Sequence, residues 1–155
     1  MVMTIQEISD RFEIIDLLTA YCVAIDKKDI DALDRIFSED ARLDFSRAGG
    51  PYSDLKTIKQ FLKQNLGDLP RQHLISNHQI KIQGDYAEVR CLCYNPLELP
   101  PQGEEVMLWG LWYNDKCIRT KAGWRIKEKI TEPCYHWKLK KNPLSEIKKV
   151  RSAFT

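Results

Sequence analysis

The sequence predicts an α+β domain, with helices first and an antiparallel sheet after them. Three observations carry this. Up to about residue 66 apolar residues recur at spacings of three and four, and beyond Pro70 they alternate with polar ones. The alternating half also holds two turn signals, Gly84-Asp85 and Lys121-Ala122-Gly123, each flanked by strand-like runs.

The first helix spans residues 5–27, where Ile5, Ile8, Phe12, Ile15, Leu18, Cys22 and Ile25 repeat at helical spacing. A short second helix covers 29–37, with Ile30, Leu33 and Phe37 on one side. Residues 38–46 read as a strand because Ala41, Leu43 and Phe45 alternate with charges, and Ala48-Gly49-Gly50-Pro51 then breaks the chain. The third helix is expected at 53–66, N-capped by Ser53, with Leu55, Ile58, Phe61 and Leu62 as its apolar stripe. Residues 73–82 and 86–94 form one antiparallel hairpin, 96–105 a proline-rich connection, and 106–120 with 123–137 a second hairpin. Residues 1–137 thus read as a single domain with helices on one face of a curved sheet. Residues 138–155 form a basic tail, with six Lys or Arg between 138 and 151. It reads as a solvated segment, or as a flap over a pocket mouth with Leu144, Ile147 and Phe154 as its apolar contacts.

Composition narrows the function. A chain of 155 residues, 43% hydrophobic and 30% charged, fits one soluble domain with one core. A formal charge of +2 lacks the basic footprint of a nucleic-acid binder. No apolar run is long enough to span a membrane and no secretory signal opens the chain, so a cytoplasmic protein without a membrane partner is expected. The five cysteines show no CxxC spacing and the three histidines no zinc-finger spacing. The cysteines therefore read as reduced, buried small hydrophobes, and no metal is expected. No phosphate loop or dinucleotide fingerprint is present, so no cofactor is expected either.

Asp26 interrupts this pattern. At about 100° per residue, Ile8, Phe12, Ile15, Thr19, Cys22 and Val23 all lie within roughly 60° of it, so it should stand in the apolar stripe. An unpaired carboxylate buried there would cost several kcal/mol, so it must be paired, hydrated or protonated. Either it caps the frayed helix end, or the stripe faces a polar cavity at that point. Tyr21, five residues earlier, can reach such a cavity with its hydroxyl. His73 opens the first long strand and is a natural partner. Strand parity puts His73 and His78 on opposite faces unless a bulge near Ser76 intervenes, so alternation alone does not settle which one points inward.

With these residues in view, the chain resembles the SnoaL-like branch of the nuclear transport factor 2-like superfamily. The resemblance runs from about residue 5 to 137. It is carried by "AYCVAIDKKDIDALDRIFSEDA", "HLISNHQIKIQGDYAEV" and "YNDKCIRTKAGWRI", in that order. It implies a cone-shaped curved antiparallel sheet closed by three N-terminal helices around an apolar pocket. It also implies a homodimer or higher oligomer formed through the sheet's outer face. Catalytic members, among them scytalone dehydratase, bile acid 7α-dehydratase and hexachlorocyclohexane dehydrochlorinase, use an aspartate near the end of helix one and a histidine opening the strand after helix three. Asp26 and His73 match those positions, and Tyr21 matches the tyrosine of the bile acid dehydratase. Asn95 stands where that enzyme keeps an aspartate, and Lys129 near where the dehydrochlorinase keeps a basic residue.

The residues would support proton transfer without a cofactor. Asp26 would hold one nitrogen of His73, leaving the other as a general base. Tyr21 would donate to a carbonyl or departing oxygen. Asn95 and Lys129 would orient a small hydrophobic, cyclic substrate, with Trp109, Trp112 and Tyr113 as apolar walls. The expected function is a dehydratase-type lyase or an isomerase. A non-catalytic binding or accessory domain and a polyketide-cyclase-like enzyme are the alternatives.

Overall fold

A computed structural model of the protein describes residues 2–67, 70–99 and 104–140. In chain order the elements are α1 (Ile5–Lys27), a 3₁₀ turn (Ile30–Ala32), α2 (Leu33–Ile36) and β1 (Phe37–Asp44). A second 3₁₀ turn (Ser46–Ala48), β2 (Tyr52–Asp54) and α3 (Leu55–Asn65) follow. The chain then enters β3 (Leu74–Gln83), β4 (Tyr86–Leu99), β5 (Glu105–Thr120) and β6 (Gly123–Lys140). The helices line the inside of a curled, unclosed six-stranded sheet of order β2-β1-β6-β5-β4-β3.

Local chemistry sets the helix ends. Thr4 and Glu7 form a capping box at the start of α1, the Thr4 hydroxyl accepting from the Glu7 N–H and the Glu7 carboxylate from the Thr4 N–H. Lys28 ends α1 in the left-handed region at φ 60°, unusual for a side chain of its size. The expected second helix shrinks to a 3₁₀ turn capped by Asp29 and one turn of α2, because Phe37 turns extended and pairs with Ile126. Asp54, not Ser53, caps α3, accepting from the Thr57 N–H at 2.8 Å. Ser53 instead sits in the short strand β2, opposite Leu43.

Strands β3 to β6 make the expected antiparallel meander, but β1 runs parallel to β6, with Leu43 opposite Lys129. The sheet is therefore mixed. Both hairpin turns stand as expected, with Gly84 and Gly123 at φ 61° and 96°. The expected connection at 96–105 is shortened from both ends: β4 reaches Leu99 and β5 begins at Glu105, while 100–103 lie outside the described residues. Likewise β6 continues to Lys140, into the expected tail, and the rest of that tail lies outside the described residues.

Helix α1 buries a face turned away from the one that the spacing around Asp26 suggests. Ile14, Leu18, Tyr21 and Ile25 enter the core with Asp10, whereas Ile8, Phe12 and Val23 are 41%, 65% and 43% exposed. The reason is tertiary. The Asp10 carboxylate takes a two-pronged ion pair from Arg119 at 2.6 and 2.7 Å and a hydrogen bond from the Trp124 indole. Three turns on, the Tyr21 ring wedges edge-on between Phe37 and Tyr113. Asp26 therefore lies on the flank of α1, roughly 120° around from Ile14, and is not in the middle of a buried stripe.

A bulge in β3 aligns the histidines. The register with β4 slips between Ser76 and Gln79, and Asn77 takes φ 53°. The extra residue resets the alternation, so His73 and Ile75 point into the cone, and so do His78, Ile80 and Ile82. Four cysteines, Cys22, Cys91, Cys93 and Cys117, are buried and unlinked, while Cys134 is exposed. Burial lifts Cys22, Cys91 and Cys117 to about 12, so they remain inert thiols.

Candidate active site

The end of α1 and the start of β3 meet at one pair of side chains. His73 Nδ1 lies 2.5 Å from Asp26 Oδ1, and the His73 backbone N–H donates to Asp26 Oδ2 at 2.9 Å. One carboxylate thus fixes both the ring and the backbone of His73. The His73 side chain is only 5% exposed. Burial pushes the Asp26 carboxyl up, but the hydrogen bonds from the His73 ring and backbone outweigh it and leave the group below its ordinary range. Asp26 is ionised near neutrality and holds the proton of the ring on Nδ1.

The other ring nitrogen faces β4. Asn95 Nδ2 lies 2.9 Å from His73 Nε2, so the carboxamide donates to the lone pair that Asp26 leaves there. His73 and Asn95 open onto a cavity of about 220 Å³. Tyr21 from α1, Tyr113 and Trp109 from β5 and Thr131 from β6 form its polar and aromatic side, and Phe45, Phe61 and Leu62 form its apolar side. Burial holds both tyrosines well above their ordinary pKa, so they stay protonated and can donate. Asp26 itself borders a neighbouring surface cleft with Gln72, Pro96 and Glu98. A larger groove, about 520 Å³, lies elsewhere, beside α2 and α3. Its lysines and aspartates neutralise one another, with Lys59 reaching both Asp31 and Asp34.

The structure therefore gathers Tyr21, Asp26, His73, Asn95, Trp109 and Tyr113 around one site. It does not bring Trp112 or Lys129 to the cavity. Parity along β5 puts Trp109, Leu111 and Tyr113 inside and Trp112 outside, where Arg90 stacks 4.4 Å from its ring. Lys129 lies under the cavity floor. Its ammonium is wholly buried, 3.1 Å from the equally buried Asp115, and sits 3.6 Å and 4.3 Å from the Tyr113 and Tyr21 ring centroids. Burial raises the Asp115 carboxyl, and Lys129 opposes that rise. Lys129 can brace the two tyrosines, but no substrate can touch it there.

Two residues escaped the sequence reading. Arg71 lines the cavity and is anchored through a bond to the Leu66 carbonyl. Its spacing of two from His73, the period of a strand, was the available signal. Asp10, and not Asp26, is the buried carboxylate of α1. Its spacing of eleven from Tyr21, three helical turns, placed both on one face.

Comparison with known proteins agrees with this architecture. An uncharacterised protein of Mycobacterium tuberculosis is 40% identical over 134 residues, covering 86% of this chain and 91% of its own. A candidate scytalone dehydratase from Novosphingobium aromaticivorans superposes with a TM-score of 0.78 at 17% identity, over 92% of this chain and 98% of its own. A hexachlorocyclohexane dehydrochlorinase from Novosphingobium barchaimii superposes with a TM-score of 0.74 at 16% identity, over 85% and 91%. At such identities the two structures speak for the fold alone. The SnoaL-like domain profile matches residues 6–129, so this chain belongs to the SnoaL-like family.

Proposed function

We propose that this protein is a lyase or isomerase that moves a proton with His73 and needs no cofactor to do so. One observation carries the reading: Asp26 grips one ring nitrogen of His73 and leaves the second on the edge of a mostly apolar cavity. His73 Nε2 would take a proton from a carbon next to a carbonyl, and the C–H electron pair would pass into an enolate. Tyr21, kept protonated by burial, would donate to the oxygen on which charge collects. A neighbouring hydroxyl that takes the proton back from His73 Nε2 would leave as water while the enolate pair forms the new double bond, completing a dehydration. Return of the proton to another carbon would complete an isomerisation. A cyclase would use the same enolate. The dehydratase and dehydrochlorinase among the similar folds lend this reading its chemistry.

The cavity bounds the substrate. A space of about 220 Å³ exceeds the 150 Å³ apolar cavity known to bind benzene, so a single substituted ring fits. The test is a panel of monocyclic β-hydroxy ketones and enones followed by absorbance. The reading expects turnover that His73→Ala abolishes, and turnover that survives His73→Ala would end it.

One observation favours a second reading, as a binding or accessory domain: Asn95 Nδ2 stands 2.9 Å from His73 Nε2, the nitrogen that a base would use. Ligand retained unchanged after long incubation would support it. We also propose a homodimer through the outer face of the sheet, where Tyr135, Trp137 and Leu139 of β6 are 51%, 63% and 49% exposed. Sedimentation should then show a dimer that Trp137→Glu turns into a folded monomer. A monomeric parent protein would refute the dimer.

A further inference from the structure

The two ends of the Asn95 carboxamide are unequal. Its nitrogen donates to His73 Nε2 at 2.9 Å, while its oxygen is buried and has no hydrogen-bond partner among the described residues. An orphaned buried acceptor is costly, and a second state of the site satisfies it.

The neutral ring keeps its proton on Nδ1, against Asp26 at 2.5 Å, so Nε2 carries the lone pair and Asn95 must donate. Once Nε2 has taken a proton, an N–H faces an N–H and the arrangement turns repulsive. A half-turn of the terminal torsion exchanges the nitrogen and the oxygen. That torsion is broad and nearly two-fold for asparagine, so little rotational strain opposes the turn. Asn95 is held on the sheet, paired with Trp109 of β5, so the amide can turn while its backbone stays in place.

We propose that Asn95 is a positioning residue that serves His73 in both protonation states, donating to the neutral ring and turning over to accept from the protonated one. This rests on the reading of His73 as the base. The reacting carbon needs the place that Nδ2 occupies, so the amide leaves Nε2 as substrate enters. The proton passes from carbon to Nε2, and the electron pair of the broken C–H bond stays on the substrate. As the enolate carbon withdraws from Nε2, Asn95 Oδ1 takes its place, accepts from the new Nε2–H and steadies the imidazolium. The other ionisable groups around the ring are Asp26 and Tyr21 from α1, Arg71 ahead of β3, and Tyr113 from β5. Asp26 already engages Nδ1, and the tyrosines stay neutral because burial keeps them protonated. An aspartate at position 95 could only accept and a leucine could do neither, so the amide is the side chain of this size that serves both states.

The test is a pH titration of the full-length protein by ¹⁵N and ¹H NMR, following the His73 ring and the Asn95 side-chain amide. In the wild type the Asn95 amide shifts should move with the same midpoint as His73. Asn95→Leu removes support from both states and should move the His73 midpoint by less than about 0.3, whereas Asn95→Asp should raise it by about one unit or more. Asn95 amide shifts that stay flat through the His73 transition would overturn the proposal. So would an Asn95→Leu midpoint raised by about a unit, the mark of a fixed donor to the neutral ring. The wild-type measurement needs no substitution, so a variant that fails to fold does not blunt the test. Loss of turnover on His73→Ala is a separate readout, so the general-base reading and the role of Asn95 can fail independently.

Discussion

Replacing Lys129 by Met should destabilise the protein far more than a surface lysine would. The ammonium and the Asp115 carboxylate are 3.1 Å apart, and both side chains are fully buried. Removing one partner leaves the other charge unpaired in the core, a loss of about 3–5 kcal/mol. The lost contacts with the Tyr113 and Tyr21 rings at 3.6 and 4.3 Å fall within that range. For a chain of this size about 4 kcal/mol corresponds to a fall in Tm of roughly 8–16 °C. Urea unfolding followed by tryptophan fluorescence measures it, with Lys129→Met/Asp115→Leu as the control. The double variant should recover most of the loss, because an apolar pair of similar volume replaces a charge pair at little net cost. The deficit of the single variant should also depend on pH. Burial already raises the Asp115 carboxyl and Lys129 opposes it, so without Lys129 the folded-state value rises further above the unfolded one. The folded protein then takes up a proton more readily than the unfolded chain, and the deficit narrows as pH falls from neutral toward about 4. A loss under about 1 kcal/mol, or a double variant as unstable as the single one, would refute this account of the cavity floor.

Asp10 gives the opposite pH signature. The Arg119 guanidinium, despite burial, holds its carboxyl down to about 2. Its folded-state value lies below the unfolded one, so its contribution is full above about pH 4 and is lost as pH falls through about 2. Asp10→Asn should therefore cost about 2 kcal/mol at neutral pH, and its urea midpoint should converge with that of the wild type in acid. Tyr21→Phe keeps the ring between Phe37 and Tyr113. It should fold normally and lower kcat on any substrate found by roughly 100-fold, with an unchanged kcat excluding the phenol as donor.

What the sequence could reveal follows from where each signal is local. Alternation and the two glycine turns exposed the β3–β4 and β5–β6 hairpins, because a hairpin is specified by residues close along the chain. The parallel pairing of β1 with β6 was invisible, since it joins Leu43 to Lys129 across most of the fold. The face of α1 was misjudged for a related reason. Apolar residues lie on more than one side of α1, and Arg119 and Trp124, more than a hundred residues on, draw the Asp10 side inward. At the site, Asp26, His73, Tyr21 and Asn95 were legible as residue types at suggestive places, and the bulge at Asn77 was needed to see both histidines face the cone. Trp109 and Trp112 differ in strand parity, so their separation was already present in the sequence.

The central claim is that Asp26 and His73 form one proton-handling pair. The most direct measurement is an NMR titration of the histidines in the wild type and in Asp26→Asn, with His78 and His136 as internal references. The account predicts that the His73 midpoint alone falls, by about a unit or more, as a close negative charge is removed. A His73 midpoint unmoved by Asp26→Asn would contradict it, and would reduce Asp26 to an acceptor for the backbone N–H of His73.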